Sequence, residues 1–221
     1  MSLEDVERGI QHSFAERGLL RLALTHPSHG YPNNQRLEFL GDAVLQVCVS
    51  DMLYHAMPDS NEGNLTRKRA LIVQERALCA IAAQLNLGDA LILGRGEQLS
   101  GGEKRASILA DTVEAIIGAV YLDAGYDKAI RVVRHVIGLV RREDWLDHKT
   151  RLQEISQAIG LGRPEYEVIS EEGPPHARVF SILVRLQDED LAKGAGTSKK
   201  NAEQDAARNA LKLARFSNVQ L

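Results

Sequence analysis

The chain is short of aromatic residues. Phe, Trp and Tyr make up 5% of its 221 residues, with a single Trp, and nowhere do they interleave with basic residues. Proteins that hold single-stranded nucleic acid stack bases on such rings, so that class of target is disfavoured. Cysteine is scarce too. Cys48 and Cys79 are far apart in helical-looking apolar contexts, which excludes a disulfide framework and reads as buried free thiols in a reducing compartment. Two cysteines alone also make no zinc site. No apolar run nears the roughly 20 residues that span a bilayer. The N-terminal stretch Met1 to Ile10 is acidic without an apolar signal core, so a cytoplasmic protein with no membrane partner is expected. An overall basic excess is missing as well, the net charge being −3.

What is present divides by region. Residues Leu146 to Leu221 carry eleven Lys/Arg against eleven Asp/Glu, which leaves sixteen against nineteen in the rest, so the acidity sits in the N-terminal part. A nucleic-acid binder of this composition must place its cations locally, and a metal enzyme needs clustered carboxylates.

From Leu3 to about Arg142 the pattern is helical throughout. Long segments without strand alternation run over Leu19–Leu24, Arg36–Tyr54, Leu65–Leu85, Ala106–Leu122 and Lys128–Arg141, punctuated by Gly and Pro. After Trp145 the periodicity changes. A helix is expected over Thr150–Ile159 and strands over Glu165–Ser170, Val179–Leu186 and Leu191–Gly194. A last helix follows from about Lys199 to Arg215, with Ala202, Ala206, Ala210 and Leu213 facing inward. The expected layout is an all-α domain over 1–143, a polar linker over 144–148, and a small α+β domain of order α-β-β-β-α over 149–217.

Four acids are out of place in the helical region. Glu38 and Asp42 stand four apart in a segment where Leu37, Phe39, Leu40, Val44 and Leu45 leave almost no polar face. Asp111 and Glu114 stand three apart in an equally apolar segment, Ser107–Ile117. Each pair shares one helix face, and neither segment offers a Lys or Arg at pairing distance. A buried, unpaired carboxylate costs several kcal/mol. Either the acids meet distant arginines or water, or two such helices face each other around a hard divalent ion. Paired ions of that kind suit hydrolysis of phosphodiesters.

These residues also resemble a known family. RLEFLGDAVL (Arg36–Leu45) and SILADTVEAIIGAVYLD (Ser107–Asp123) are similar to the two signature segments of ribonuclease III. LALTHPS (Leu22–Ser28), EGNLT (Glu62–Thr66) and LGRGE (Leu93–Glu97) match its other landmarks in order, and the C-terminal region resembles the double-stranded-RNA-binding domain of bacterial members. The resemblance implies an all-α endonuclease domain followed by that RNA-binding domain. It implies a homodimeric, Mg²⁺-dependent endonuclease (Mn²⁺ substituting) that cuts double-stranded RNA, leaves 5′-phosphate and 3′-hydroxyl ends, and processes ribosomal RNA precursors and structured messages.

Residue by residue, the resemblance makes Glu38, Asp42, Asp111 and Glu114 the metal ligands, with Asp42 and Glu114 central to catalysis. Glu62 would lie beside them to bind RNA or order water. Phe39 would pack across the dimer interface, plain core being the alternative. His26, in Thr25-His26, reads as structural. One departure is Gln35, where the family usually has Glu. It removes a charge at the rim of the acids, and it leaves open a protein that grips duplex RNA with impaired or no cleavage. Ala106, where many members have Glu, is a lesser difference. A helical phosphohydrolase acting on small phosphates is a further alternative, against which the C-terminal module counts.

A-form RNA is recognised by shape, through 2′-hydroxyls and phosphates. Thr150, Gln153, Glu154 and Gln157 share one helix face suited to minor-groove hydroxyls, and the stiff turn Gly173-Pro174-Pro175-His176 suits the next groove. Lys199 and Lys200 open a helix, where cations oppose the macrodipole. That placement fits phosphate contact, aided by the free N–H groups at the helix start.

Overall fold

The computed structural model describes residues 1–140, 148–174 and 178–217. The chain divides into two compact units, Met1–Trp145 and Leu146–Leu221.

In the first unit α1 (Leu3–Ile10) opens with a capping box, in which the Ser2 hydroxyl accepts the Asp5 N–H and the Asp5 carboxylate accepts the Ser2 N–H. There follow α2 (Arg17–Ala23), α3 (Gln35–Ala56), α4 (Glu62–Val73), α5 (Glu75–Gln84), α6 (Arg95–Leu99), α7 (Ala106–Ala124) and α8 (Tyr126–Gly138). Among the described residues no helix is long and apolar enough to cross a membrane.

The helical reading of this unit agrees with the structure, with one difference. The segment Leu65–Leu85 is two helices, broken at Gln74, whose backbone is extended (φ −67°, ψ 152°). No Gly or Pro marks the break. Gln74 makes it tolerable itself, because its side-chain amide donates to the Leu71 carbonyl, one of the acceptors a helix end leaves over.

The centre of the unit is α3 against α7. Leu37, Val44, Leu45, Cys48 and Val49 from α3 pack with Leu109, Val113, Ile116, Ile117 and Val120 from α7 in one core. The helices approach so closely because glycine stands at the contact. A Cβ on Gly41 would fall 1.8 Å from the Glu114 carbonyl oxygen, and one on Gly118 would fall 2.3 Å from that of Leu37. Both cysteines are unpaired; Cys48 is buried, but Cys79 only partly so. Burial pushes the Cys48 thiol up to about 11, with Asp51 adding to it.

The second unit has the expected order. Helix α9 (His148–Ala158) precedes strands β1 (Glu165–Glu172), β2 (Val179–Leu186) and β3 (Glu189–Gly196), then α10 (Lys199–Ala210) and a short α11 (Ala214–Ser217). The sheet is antiparallel, ordered β1-β2-β3. Ile182, Val184 and Leu186 point into a core with Leu152 and Ile155 of α9 and Ala202, Ala206, Ala207 and Ala210 of α10. The outer strands extend two residues beyond their apolar centres, since strand ends are set by pairing rather than by burial. The last helix stops at Ala210 instead of continuing to Arg215, and a turn at Leu211–Leu213 lets Phe216, 1% exposed, close the core.

Candidate metal centre and nucleic-acid interface

The contact between α3 and α7 sets the acids face to face. Glu38, Asp111 and Glu114 each present a carboxylate oxygen, all within 4.8 Å of one another. Asp42, one turn further along α3, is exposed and accepts a hydrogen bond from the Gln46 amide at 3.4 Å. It lies outside the tight trio, yet its charge acts on Glu114. Among the described residues no cation forms an ion pair with any of the four. The pairing with distant arginines that the sequence left open is therefore not found there.

The cost is visible in their titration. Burial, followed by Asp42, Asp111 and Glu38, pushes the Glu114 carboxyl up from 4.5 to about 7. Burial and then Asp111 raise Glu38. Burial and then Glu75 raise Asp111, while His26 pulls it back. Crowded acids of this kind are relieved by a divalent cation. Two oxygens on one octahedral ion stand ~3 to 4 Å apart, so the observed separations need only small side-chain adjustments to fit one. The donor set, carboxylate oxygen alone, suits a hard ion.

The remaining acids fall differently. Glu62 is the first residue of α4, exposed, with its Oε1 accepting from the Thr66 hydroxyl at 2.8 Å; it is not a member of the trio. Gln35 is the first residue of α3 and is exposed. Glu75 and His26, which both act on Asp111, carry no local signal that joins them to it. Phe39 is 83% exposed, so it is no part of this protomer's core.

In the second unit Thr150, Gln153, Glu154 and Gln157 are all exposed along α9. Lys199 and Lys200 open α10 behind Ser198, whose hydroxyl accepts the Asn201 N–H at 3.2 Å. Lys199 Nζ lies 5.9 Å from the centre of the Phe180 ring. An open hollow of about 270 Å³ joins these elements, with Thr150 and Gln153 on one wall and Lys200 on another. It is braced by Lys149, which pairs with Glu203 at 2.7 Å and sits 4.5 Å over the Tyr166 ring. The polar face of the first helix and the cationic start of the last therefore border one surface. Gly173 turns with φ +93°; His176 lies outside the described residues.

Comparison with known proteins agrees with this arrangement. Residues 16–140 match the Ribonuclease-III-like family and residues 148–213 the double-stranded RNA binding motif. "Ribonuclease 3" of Thiobacillus denitrificans is 48% identical over 211 residues, covering 93% of each chain. "Ribonuclease 3" of Syntrophomonas wolfei is 47% identical over 210 residues, covering 91% of this chain and 90% of the relative. The solved nuclease domain of ribonuclease III from Campylobacter jejuni, described for flexibility in a region involved in dimer formation, superposes with a TM-score of 0.60. It is 42% identical and covers 62% of this chain and 96% of that one. A helical unit with apposed acids, followed by a duplex-RNA-binding unit, in a chain this similar to these relatives over nearly its whole length, belongs to the ribonuclease III family of endoribonucleases.

Proposed function

We propose that this chain cuts double-stranded RNA with divalent metal, Mg²⁺ or in its place Mn²⁺, held by Glu38, Asp42, Asp111 and Glu114. The observation that carries the reading is a trio of crowded carboxylates to which no cation is paired among the described residues, in a chain that also carries a duplex-binding motif. Bound there, the ion would supply a Lewis acid and a lowered water pKa. The four carboxylates orient water in line with the scissile phosphorus. The P–O3′ bond breaks as the P–O bond to water forms; the attacking water gives up a proton and the leaving 3′-oxygen takes one, giving 5′-phosphate and 3′-hydroxyl ends. Glu62 and Gln35 would stand at the rim, on the RNA side. Gln35 is no member of the trio, so its lack of charge leaves the three closest donors in place.

The chain would act as a homodimer in the cytoplasm, on ribosomal RNA precursors and structured messages. Phe39, Val47 and Tyr54, 83%, 55% and 69% exposed, lie within one stripe of α3. An apolar stripe left in water on a central helix suits burial against a second copy. The domain limits 1–143, 144–148 and 149–217 remain part of this proposal.

The deciding test is to incubate the chain with a duplex RNA in Mg²⁺ and in EDTA. Scission is expected in Mg²⁺ alone, with 3′-hydroxyl products. Binding without Mg²⁺-dependent scission would make the chain a duplex-binding protein instead.

In the second unit, Thr150, Gln153, Glu154 and Gln157 would meet minor-groove hydroxyls, His176 the next groove, and Lys199 and Lys200 the phosphates between. Replacing Lys199 and Lys200 together by Ala is expected to weaken binding to all duplex sequences alike. The slope of log K against log salt should flatten by about 2, roughly one for each phosphate no longer neutralised. Fluorescence anisotropy across a salt series measures both, and an unchanged slope would remove these lysines from the interface.

A further inference from the structure

A hollow of about 590 Å³, open to water, lies between α1 and α8, with Glu7, Arg8, Ser13, Ala124, Lys128 and Arg131 among the residues that line it. Ala124 ends α7, the helix that carries Asp111 and Glu114. At 1.5 Å per residue the hollow stands about 15 to 20 Å from those acids along the helix. Salt screens exposed charges over about 8 Å, so the acids of α7 do not neutralise what lines the hollow.

The acids on this side are turned inward. Glu7, 8% exposed, accepts the Phe14 N–H on its Oε1 at 2.8 Å. Asp123 accepts the Ala15 and Glu16 N–H groups at 3.2 and 2.9 Å, and lies 2.9 Å from Nε2 of the buried His12. These bonds tie the segment after α1 to the end of α7, so this wall is fixed by buried groups.

The cations are left to the hollow. Among the described residues neither Lys128 nor Arg131 has a carboxylate partner. Lys128 Nζ donates to the Gln11 carbonyl at 3.1 Å. Arg131 Nε donates to the Asp127 carbonyl at 2.9 Å, which leaves the two outer guanidinium nitrogens without a hydrogen-bond partner among the described residues. Arg8 pairs with Asp5 at the exposed surface, where such a pair is weak. Lys128 and Arg131 stand three apart on α8, where like charges repel, and Lys128 lies in the first turn, where a cation opposes the helix dipole. The bond to Gln11 explains Lys128 alone. Three cations around one hollow, whose single lining acid is held by the backbone, are accounted for together by an anion.

We propose that this hollow is a phosphate-binding site, with Arg131 and Lys128 as its main contacts, Arg8 as a third cation and the Ser13 hydroxyl as a neutral donor. The guanidinium fork matches two phosphate oxygens, and the lysine adds a point charge. The hollow has room for more than one phosphate, which makes the ligand either consecutive phosphates of an RNA backbone or a free polyphosphate. The site is independent of the metal centre.

The probes are inorganic tripolyphosphate and a duplex RNA, both in EDTA, since acids without their metal repel anions. Calorimetry with tripolyphosphate uses the full chain carrying Lys199→Ala and Lys200→Ala, which removes the other cationic surface. In that background Arg131→Gln and Lys128→Gln are each expected to weaken binding about tenfold, the equivalent of one charge-assisted hydrogen bond. Arg134→Gln, which removes an equal charge one turn along α8 but outside the lining, should leave it unchanged. Lys128→Gln also loses the tie to Gln11, so Arg131→Gln with an unaltered Tm is the cleaner variant. The duplex arm is a salt series by anisotropy. A slope of log K against log salt flatter by about 1 in Arg131→Gln alone assigns the site to the RNA backbone. An unchanged slope with weakened tripolyphosphate binding assigns it to a free polyphosphate. An unchanged slope with tripolyphosphate bound equally by wild type and Arg131→Gln, or by neither, overturns the site, as does an equal loss in Arg134→Gln.

Discussion

Replacing Glu114 by Gln is expected to slow duplex scission by about three orders of magnitude while leaving duplex binding unchanged. Glu114 is the acid on which the other three act together, and losing one ligand of a catalytic ion removes several kcal/mol of transition-state stabilisation, each ~1.4 kcal/mol being a factor of ten. Binding survives because the duplex-binding motif lies in the other unit. Single-turnover scission at saturating Mg²⁺ measures the effect, and full activity would overturn the ligand assignment.

The same substitution should act on stability in the opposite direction. With its carboxyl raised from 4.5 to about 7, folded Glu114 keeps a proton that the unfolded chain has released. The folded state therefore binds more protons across that interval, and metal-free stability falls as pH rises through it. Allowing for water that reaches this partly open site, the loss is on the order of 2 kcal/mol by pH 8. Glu114→Gln lacks this penalty, so in EDTA at pH 8 its Tm should exceed that of the wild type, and at pH 5 the two should converge. Added Mg²⁺ should raise the wild-type Tm, by linkage to binding, and the variant's far less.

Gly41→Ala should unfold or badly weaken the helical unit, by about 3 kcal/mol or more. In an unobstructed helix the change would gain up to ~1 kcal/mol of helix propensity, so the sign is decided by the contact. The new Cβ would lie 1.8 Å from the carbonyl oxygen of Glu114, and backbone cannot rotate away as a side chain can. α3 and α7 must separate, and with them Glu38 from Asp111 and Glu114. Gly118→Ala, whose Cβ would meet the Leu37 carbonyl at 2.3 Å, should behave alike. Gly96→Ala is the control, since a Cβ there meets nothing within 4 Å. Urea unfolding in EDTA compares the three, and a Gly41→Ala chain as stable as the wild type would refute the close crossing.

The acids were legible in the sequence because their surroundings are so apolar; a carboxylate flanked by Leu37, Phe39 and Leu40 stands out without any alignment. Their separations were not. Spacing i,i+4 places Glu38 and Asp42 on one face but about 6 Å apart along the axis, and which of them meets the facing pair is set by the crossing of two helices some seventy residues apart in sequence. The glycines that permit that crossing look like ordinary helix glycines until the neighbouring backbone is known. The break at Gln74 was hidden because the residue satisfies the broken helix with its own side chain. His26 was visible as part of a motif, but its loop is held by the bridge from Thr25 to Ile92, a pairing that no local pattern announces. The strands and the alanine stripe of the second unit were easier, since alternation and helical periodicity report burial directly.

Phe39 follows Glu38 directly in the chain, and it is 83% exposed. In the proposed homodimer, that adjacency would make the amount of protein a variable of the chemistry. Association is second order in protomer, so on dilution the fraction of chains with Phe39 covered falls, and with it the number of helices α3 held by a neighbour on the side next to the acids. The output of such an enzyme would rise faster than in proportion to its abundance when it is scarce, and only in proportion once it is plentiful.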